Sequence, residues 1–358
     1  MRVERVILGR PLPERLTGAI LARDIIVGDE RWSKGRRLSA ADLVRLAGAQ
    51  GSTSAVGAAG AGDVSAVRLL IADRGELHED EAALRLAAAV AGPNLTLHGP
   101  VQSRVDLRAT AAGVVVVRIA ALERIDTIDP LEVFTVFDGQ VVRAGDLVAS
   151  VKVAPHLVPA SVLEKAERIA ARGGPVVRVD AFQPHRVAVL VKETLRAADR
   201  ARFEAIIAAK VEGLGSQILA LRYVEDDVET VFEVLAGLVR VRGRAQLVLT
   251  AGAASTDPTD AIFAAIERLG GTMVRHGVPA HPGSMLWLAR IGRTTVLGLP
   301  TCGAYSRATA VDLLLPRLLA GQKANARTVA RLGHGGVLTR EMRFRMPAYA
   351  RDLEAPEG

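Results

Sequence analysis

Cysteine is nearly absent from this sequence, and other absences narrow its class further. Cys302 is the only cysteine among 358 residues, so the chain forms no internal disulfide and a reducing compartment is expected. Aromatic residues make up 3%, which leaves Ala, Val, Leu and Ile to build most of the core. No apolar run approaches the ~18 residues of a membrane span, and the N-terminus lacks the apolar stretch of a signal peptide. We therefore expect a cytoplasmic protein without a membrane partner.

Acidic residues are outnumbered by basic ones. The chain has 46 Lys and Arg against 39 Asp and Glu, a net charge of +7, which favours the approach of anionic ligands. A nucleic-acid partner would need basic residues clustered with stacking aromatics. Here the basic residues are scattered and aromatics are scarce, so we expect no nucleic-acid partner. A basic regulatory or nucleic-acid-binding protein is the least favoured hypothesis.

The second half of the chain has the pattern of a parallel α/β sheet. Gln246–Thr250 is an apolar run of strand length, and Ala261–Leu269 has apolar residues at helical spacing. Thr294–Leu299 and Asp312–Leu319 repeat the strand and the helix. Strands alternating with helices predict a doubly wound, three-layer α/β/α domain. Ligands of such sheets bind beyond the carboxyl ends of the strands, so we expect the functional site in the turns that follow.

Shifts in composition predict four segments. Residues 1–92 form an N-terminal α+β segment, and residues 93–184 a small β-rich or α+β domain that ends in a linker. Residues 185–322 form the doubly wound domain. Residues 323–358 are a tail rich in charge and proline, which we expect to be loosely held.

The turns at the expected carboxyl ends resemble motifs of the molybdopterin-binding domain found in the MoaB/Mog and MoeA/gephyrin families. The run Thr250-Ala251-Gly252-Ala253-Ala254-Ser255, with Asp260 behind it, is similar to the family's T-[S/G]-G-G-x-S-x-G-x-x-D segment. His281-Pro282-Gly283 is similar to its PG motif, and Leu299-Pro300-Thr301-Cys302-Gly303 to its LPGNP motif. Thr17–Ile25, Lys34–Leu38 and Gly75–Ala83 extend the resemblance to short MoeA-like proteins.

The resemblance implies a ligand, which is molybdopterin or Mo-molybdopterin, with Mg²⁺ as a further cofactor. It assigns ligand binding to two glycine-containing turns, the PG motif and one arginine: Thr250, Ala251, Gly252, Ala253, Ser255, Pro282, Gly283, Pro300, Thr301, Cys302, Gly303 and Arg307. It assigns catalysis to Asp260, Glu193 and Asp257, and metal binding to Asp260. Two alternatives stay open: Asp260 as a helix N-cap and Cys302 as a small packed residue.

The resemblance further implies a homo-oligomer that acts in molybdenum cofactor biosynthesis, through molybdate insertion or pterin activation. The sequence departs from the family at Ala253, Thr301 and Cys302, and Gln246 stands where relatives carry an acid. Metal-assisted chemistry needs several carboxylates around a hard cation. These departures favour an alternative, a non-catalytic carrier that delivers the cofactor to a molybdoenzyme, and they leave open whether the protein is an enzyme.

Overall fold

The computed structural model describes residues 1–49, 53–55, 66–192, 196–240, 244–252, 257–299 and 308–352, with the backbone alone at 53–55 and 351–352. The chain divides into two compact units. The first unit comprises residues 1–108, 117–136 and 147–178, and the second comprises 109–116, 137–146 and 179–358. The segment boundaries predicted at 92, 184 and 322 stay predictions.

The strands of the described chain are short. They are β1 (Arg2–Ile7), β2 (Ile20–Leu21), β3 (Ile25–Val27), β4 (Glu30–Trp32), β5 (Thr53–Ala55), β6 (Ala66–Ile71), β7 (Glu76–His78), β8 (Leu95–Val101), β9 (Arg104–Ala109), β10 (Gly113–Val117), β11 (Leu131–Thr135), β12 (Val141–Val142), β13 (Leu147–Val153), β14 (Leu157–Pro159), β15 (Val177–Ala181), β16 (Arg186–Val191), β17 (Gln217–Tyr223), β18 (Leu247–Ala251), β19 (Thr272–His276), β20 (Trp287–Ile291) and β21 (Thr294–Gly298).

The α-helices lie between these strands and after the last of them. They are α1 (Ala40–Gly48), α2 (Glu79–Val90), α3 (Ile119–Asp126), α4 (Ala160–Ala171), α5 (Ala197–Glu212), α6 (Val228–Arg240), α7 (Ala261–Arg268), α8 (Ala310–Leu319), α9 (Ala326–Ala330) and α10 (Tyr349–Asp352). Short 3₁₀ helices occur at Glu14–Leu16 and Arg340–Arg345.

The first unit is built from small sheets with strand orders β1-β6-β2, β4-β3-β5, β14-β7 and β11-β13-β9-β8. Helix α1 begins at Ser39, whose hydroxyl accepts from the Asp42 N–H while the Asp42 carboxylate accepts from the Ser39 N–H. This capping box satisfies two backbone donors that the first turn leaves unpaired. Trp32 and Leu46 are fully buried in the core beside α1.

The second unit is organised around a six-stranded sheet with the order β17-β16-β18-β21-β20-β19. Strands β16, β17, β18 and β21 are parallel, and β20 is antiparallel to β21 and to β19. Most residues of β10, β12 and β15 also belong to this unit, as a three-stranded sheet.

Both faces of the large sheet are covered, which explains the nearly unbroken apolar run of β16. Val189 packs on one face with Phe203 of α5 and Leu314 of α8. Leu190 packs on the other face with Leu235 of α6, in a cluster that includes residues of α7. The predicted three-layer α/β/α class is therefore confirmed. The chain runs from β16 through α5 to β17, which lies on one side of β16. It then runs through α6 to β18 on the other side, so the strand order reverses at β16.

Candidate functional site

The carboxyl ends of β16, β17 and β18 bring together a lysine and two aspartates. Lys192 follows β16, Asp226 follows β17, and Asp260 immediately precedes α7. The Lys192 ammonium donates to Asp226 Oδ1 and to Asp260 Oδ1, both at 2.6 Å. The side chains of Lys192 and Asp260 are buried, whereas 58% of the Asp226 side chain is exposed. A buried positive charge and its carboxylate partners thus lie where the sheet changes direction, the place where ligands of doubly wound sheets bind.

Asp260 has a second role that its position dictates. Its Oδ1 also accepts from the Ile262 N–H at 2.9 Å, so Asp260 is the N-cap of α7. An ammonium and a helix N-terminus both favour a negative charge there. The N-cap alternative is therefore observed, while the catalytic and metal-binding roles of Asp260 stay predictions.

Asp257 lies exposed three residues before that cap. Its Oδ1 accepts from the Thr259 hydroxyl at 2.6 Å and from the Thr259 N–H at 2.9 Å. The Thr259 hydroxyl and then its N–H hold the pKa of Asp257 below the ordinary range, and the Lys192 charge adds to this. Asp257 is therefore an ionised acceptor at neutral pH, and its predicted catalytic role stays a prediction.

Thr250, Ala251 and Gly252 end strand β18. Thr250 is buried, and its hydroxyl oxygen has no hydrogen-bond partner among the residues that the structure describes. The Ala251 carbonyl accepts from the Lys192 N–H at 3.0 Å, which ties β18 to the end of β16. Gly252 has φ +87°, a backbone conformation that side chains disfavour. The strand thus ends near a hydroxyl without a described partner, and a glycine in the left-handed region follows it.

Pro282 and Gly283 lie against the first turn of α8. The Pro282 carbonyl accepts from the Ala310 N–H at 2.9 Å. Gly283 has φ +102°, and a Cβ there would approach the Ala310 nitrogen and Thr309 Cβ to 2.9 Å. Only glycine fits this contact without a shift of the helix. The PG motif therefore positions α8, and contact with a ligand stays a prediction.

The remaining residues predicted to act at this edge lie outside the described parts of the chain. They are Glu193, Ala253, Ser255, Pro300, Thr301, Cys302, Gly303 and Arg307. The described residues that flank them are Lys192, Gly252, Asp257, Leu299 and Ala308.

Sequence reasoning missed Lys192 and Asp226, and it counted the neutral residue at Gln246 against metal-assisted chemistry. Lys192 ends the apolar run of β16, and a charge directly after a buried parallel strand is the signal that would have found it. Gln246 precedes β18 and accepts from the Arg186 N–H at 3.0 Å, at the opposite edge of the sheet. Six residues of strand separate Gln246 from Gly252, about 20 Å. A neutral residue at Gln246 therefore has no direct bearing on chemistry at the carboxyl ends.

The fold and this cluster define a class of protein, the doubly wound α/β proteins that bind a ligand at the carboxyl edge of the sheet. Within that class, residues 190–320 match the family model described as "Probable molybdopterin binding domain". The match confirms the resemblance predicted from the sequence for this domain, which is somewhat more than a third of the chain. No curated protein sequence matches the chain.

The chain is also similar to solved structures. The molybdopterin biosynthesis protein MoeA from Pyrococcus horikoshii is 15% identical with a TM-score of 0.30, over 72% of this chain and 81% of that one. The molybdopterin biosynthesis enzyme MoaB from Thermus thermophilus is 19% identical with a TM-score of 0.29, over 38% of this chain and 98% of that one. Matches at these identities and TM-scores establish nothing about ligand or activity. No helix in the described part of the chain is long and apolar enough to cross a membrane.

Proposed function

We propose that this protein binds molybdopterin at the carboxyl edge of the six-stranded sheet and acts in molybdenum cofactor biosynthesis. The match of residues 190–320 to a molybdopterin-binding family supports the ligand. The observation that carries the location is the Thr250 hydroxyl, which is buried at that edge without a partner among the described residues. An unpaired buried hydroxyl costs about 1–3 kcal/mol, so a ligand that supplies the missing partner accounts for it.

The residues around Thr250 suit a flat ligand that carries hydrogen-bonding groups and a phosphate. Gly252 has no side chain, so its backbone can approach a ring more closely than that of any other residue. Asp226 is held by Lys192 yet largely exposed, so its carboxylate can accept from a pterin amino group. The Lys192 ammonium is paired with Asp226 and Asp260, so it fixes the orientation of both carboxylates at the same edge.

A Mg²⁺ ion would bring Lewis-acid chemistry to this site. Asp226, Asp257 and Asp260 are described carboxylates near the strand ends, and Glu225 and Asp227 adjoin the first of them. Asp226 and Asp260 already accept from Lys192. No three His, Cys, Asp or Glu side chains within the described ranges form a metal-binding group. Metal binding at Asp260 stays a proposal, and the Lys192 ammonium beside this carboxylate repels a second cation.

The pairing of Lys192 with Asp226 and Asp260 favours a second candidate function, a carrier that hands the cofactor to a molybdoenzyme without changing it. In a carrier, the ammonium of Lys192 permanently neutralises carboxylates that a hard cation would otherwise use. Incubation with Mg²⁺, ATP, molybdate and pterin distinguishes the two functions. Release of an adenylated or molybdenum-containing pterin indicates an enzyme, and retention of unaltered pterin indicates a carrier. A client enzyme and a homo-oligomer stay predictions.

Ligand binding is tested by expressing the chain in a host that makes the cofactor and measuring the fluorescence of pterin released from purified protein. We expect Gly252→Asp to remove at least nine-tenths of the pterin, because it places a side chain and a negative charge at the end of β18. Gly270→Asp is the matched control, since Gly270 also has a positive φ, +68°, and open space around its Cβ. Absence of pterin from the wild type, or equal retention by both variants, contradicts the proposal.

A further inference from the structure

A second cleft lies at the amino edge of the same sheet, opposite the candidate pterin site. It has a volume of about 1000 Å³ and is lined by the residues that begin β16, β18 and β21, the end of β20, and the chain after α8. This volume is at the upper end of the range for small-molecule sites. The proposed function does not use this cleft.

The charge of the cleft has one sign. Among the described residues, its lining contains no Asp or Glu but six basic side chains: Arg186, Arg240, Arg244, Arg290, Arg293 and Lys323. All six are exposed. Within the described ranges, no carboxylate lies within salt-bridge distance of Arg290, Arg293 or Lys323. At these three positions like charges repel one another without a described carboxylate to offset them, so an anion in the cleft would stabilise the arrangement.

Helix ends account for only part of this charge. Arg240 is the last residue of α6, and Lys323 follows α8, where a positive charge offsets the negative end of the helix dipole. Arg290 lies in β20 and Arg293 in the turn to β21, while Arg186 begins β16. These three positions serve no helix terminus, so the excess charge needs another explanation.

The geometry indicates an anion with several charges along a chain. Strands β16, β18, β21 and β20 are successive neighbours, so the basic side chains are spread over about 14 Å. Arginine binds phosphate through two parallel N–H groups, and Asn325 adds an amide donor to the lining. The described part of the lining has no Phe, Tyr or Trp on which a base could stack. A concave basic site without a stacking platform suits a small polyphosphate better than a nucleic-acid strand.

We propose that the amino-edge cleft binds a small polyphosphate anion, at a site separate from the pterin site. Inorganic triphosphate is the probe, because it carries several linked phosphate charges and has no nucleobase. Titration calorimetry on the full-length protein at fixed ionic strength should give saturable binding. Arg290→Gln combined with Arg293→Gln should raise the Kd at least ten-fold, since each substitution removes one charged bidentate donor.

Two controls separate this site from diffuse charge and from the pterin site. Arg202→Gln removes one exposed arginine on α5 that does not line the cleft, so the triphosphate Kd should stay within about two-fold. Gly252→Asp should abolish pterin retention and leave triphosphate binding intact, so failure of the proposed function and failure of this proposal are distinguishable. Equal weakening by Arg202→Gln and the double variant overturns the proposal, as does loss of triphosphate binding in Gly252→Asp. The proposal is also overturned if duplex or single-stranded nucleic acid binds more tightly than triphosphate and the double variant weakens that binding. The cleft would then be a nucleic-acid site.

Discussion

At the scale of single residues, two equally buried hydroxyls on neighbouring strands differ in whether the described chain satisfies their hydrogen bonds. Thr294 begins β21, and its hydroxyl donates to the Ala245 carbonyl at 2.9 Å. Thr250 lies near the end of β18, equally buried, and its hydroxyl has no partner in the described chain. The hydrogen bond of the Thr294 hydroxyl within the protein accounts for its burial. The Thr250 hydroxyl forms no hydrogen bond with any described residue, so the described fold does not account for its burial.

Replacing Thr250 by Val, which has nearly the same shape, should therefore separate stability from binding. We expect Thr250→Val to leave the free energy of unfolding unchanged or to raise it by about 1 kcal/mol, because an unpaired polar group is removed. The same variant should retain at most about a tenth of the pterin, because a ligand hydrogen bond is lost. Urea denaturation and pterin fluorescence on one preparation measure both quantities.

Thr294→Val is the matched control for that substitution. It removes a buried hydroxyl that is paired within the protein, so it should lower the free energy of unfolding by about 1 kcal/mol and leave pterin retention unchanged. If Thr250→Val is destabilised as much as Thr294→Val and keeps its pterin, the Thr250 hydroxyl serves the fold and the proposed site is wrong.

At the scale of secondary structure, sequence pattern predicted the parallel strands well and the antiparallel edge poorly. Strands β18 and β21 overlap the two predicted apolar runs, and this pattern is sufficient to predict them. Strands β19 and β20 contain charged residues and are separated by a long loop, so no local pattern marked them. Their placement depends on a tertiary contact: the Trp287 indole lies over Gly298, where a Cβ would come within 2.0 Å of the ring.

For the candidate site, the sequence predicts the turns that form it but not the ion pairs within it. The carboxyl ends of β18 and β21 follow from strand order, and the family motifs mark the same turns. The ion pairs of Lys192 link residues 34 and 68 positions apart, and side-chain contacts over such separations leave no trace in a local pattern. Topology therefore predicts where a site lies, while the charge pairs within it require the structure.

Helix α8 carries a buried ion pair at its first turn. Lys210 of α5 donates to Asp312 Oδ1 at 2.5 Å, and both side chains are almost completely buried. The Tyr349 ring of α10 lies 5.4 Å from the Lys210 ammonium, and its hydroxyl is buried. Burial, and then the negative charge of Asp312, raise the pKa of Tyr349 well above its ordinary value of 10.0.

This raised pKa predicts a loss of stability in alkali. The folded protein keeps the Tyr349 proton above the pKa of the unfolded chain, so the unfolded state binds fewer protons there. The contribution is complete below about pH 10 and is lost as pH rises further, at about 1.4 kcal/mol per pH unit. We expect Tyr349→Phe to have a shallower alkaline slope than the wild type in denaturant titrations from about pH 9 to about pH 11.

Tyr223→Phe is the control for this slope, because the Tyr223 hydroxyl is exposed and donates to Glu204. Its alkaline profile should follow that of the wild type. Parallel profiles for the wild type and Tyr349→Phe would show that Tyr349 does not govern alkaline stability.

At the scale of the whole molecule, the second unit is assembled from three separate stretches of chain. Residues 109–116 and 137–146 belong to it although they precede the predicted boundary at residue 184. Within this unit, the Arg317 guanidinium donates to Asp138 Oδ2 at 3.2 Å, and only 5% of the Arg317 side chain is exposed. Gln322 of the same unit donates to Asp180 Oδ2 at 3.1 Å. The chain after residue 184 therefore depends on partners that come before it.

A fragment that begins at residue 185 should accordingly be less stable than the second unit in the intact chain. Truncation removes Asp138 and leaves Arg317 without its carboxylate. It also removes the three-stranded sheet formed by β10, β12 and β15.

In the intact chain, Asp138→Asn should lower the free energy of unfolding by about 1.5–3 kcal/mol, the usual contribution of a hydrogen bond to a charged group. Glu229→Gln, which breaks the exposed pair with Arg268, should cost less than about 1 kcal/mol. Circular dichroism of the fragment and both variants in urea compares the three. A fragment as stable as the intact protein would instead support an autonomous domain that starts at residue 185.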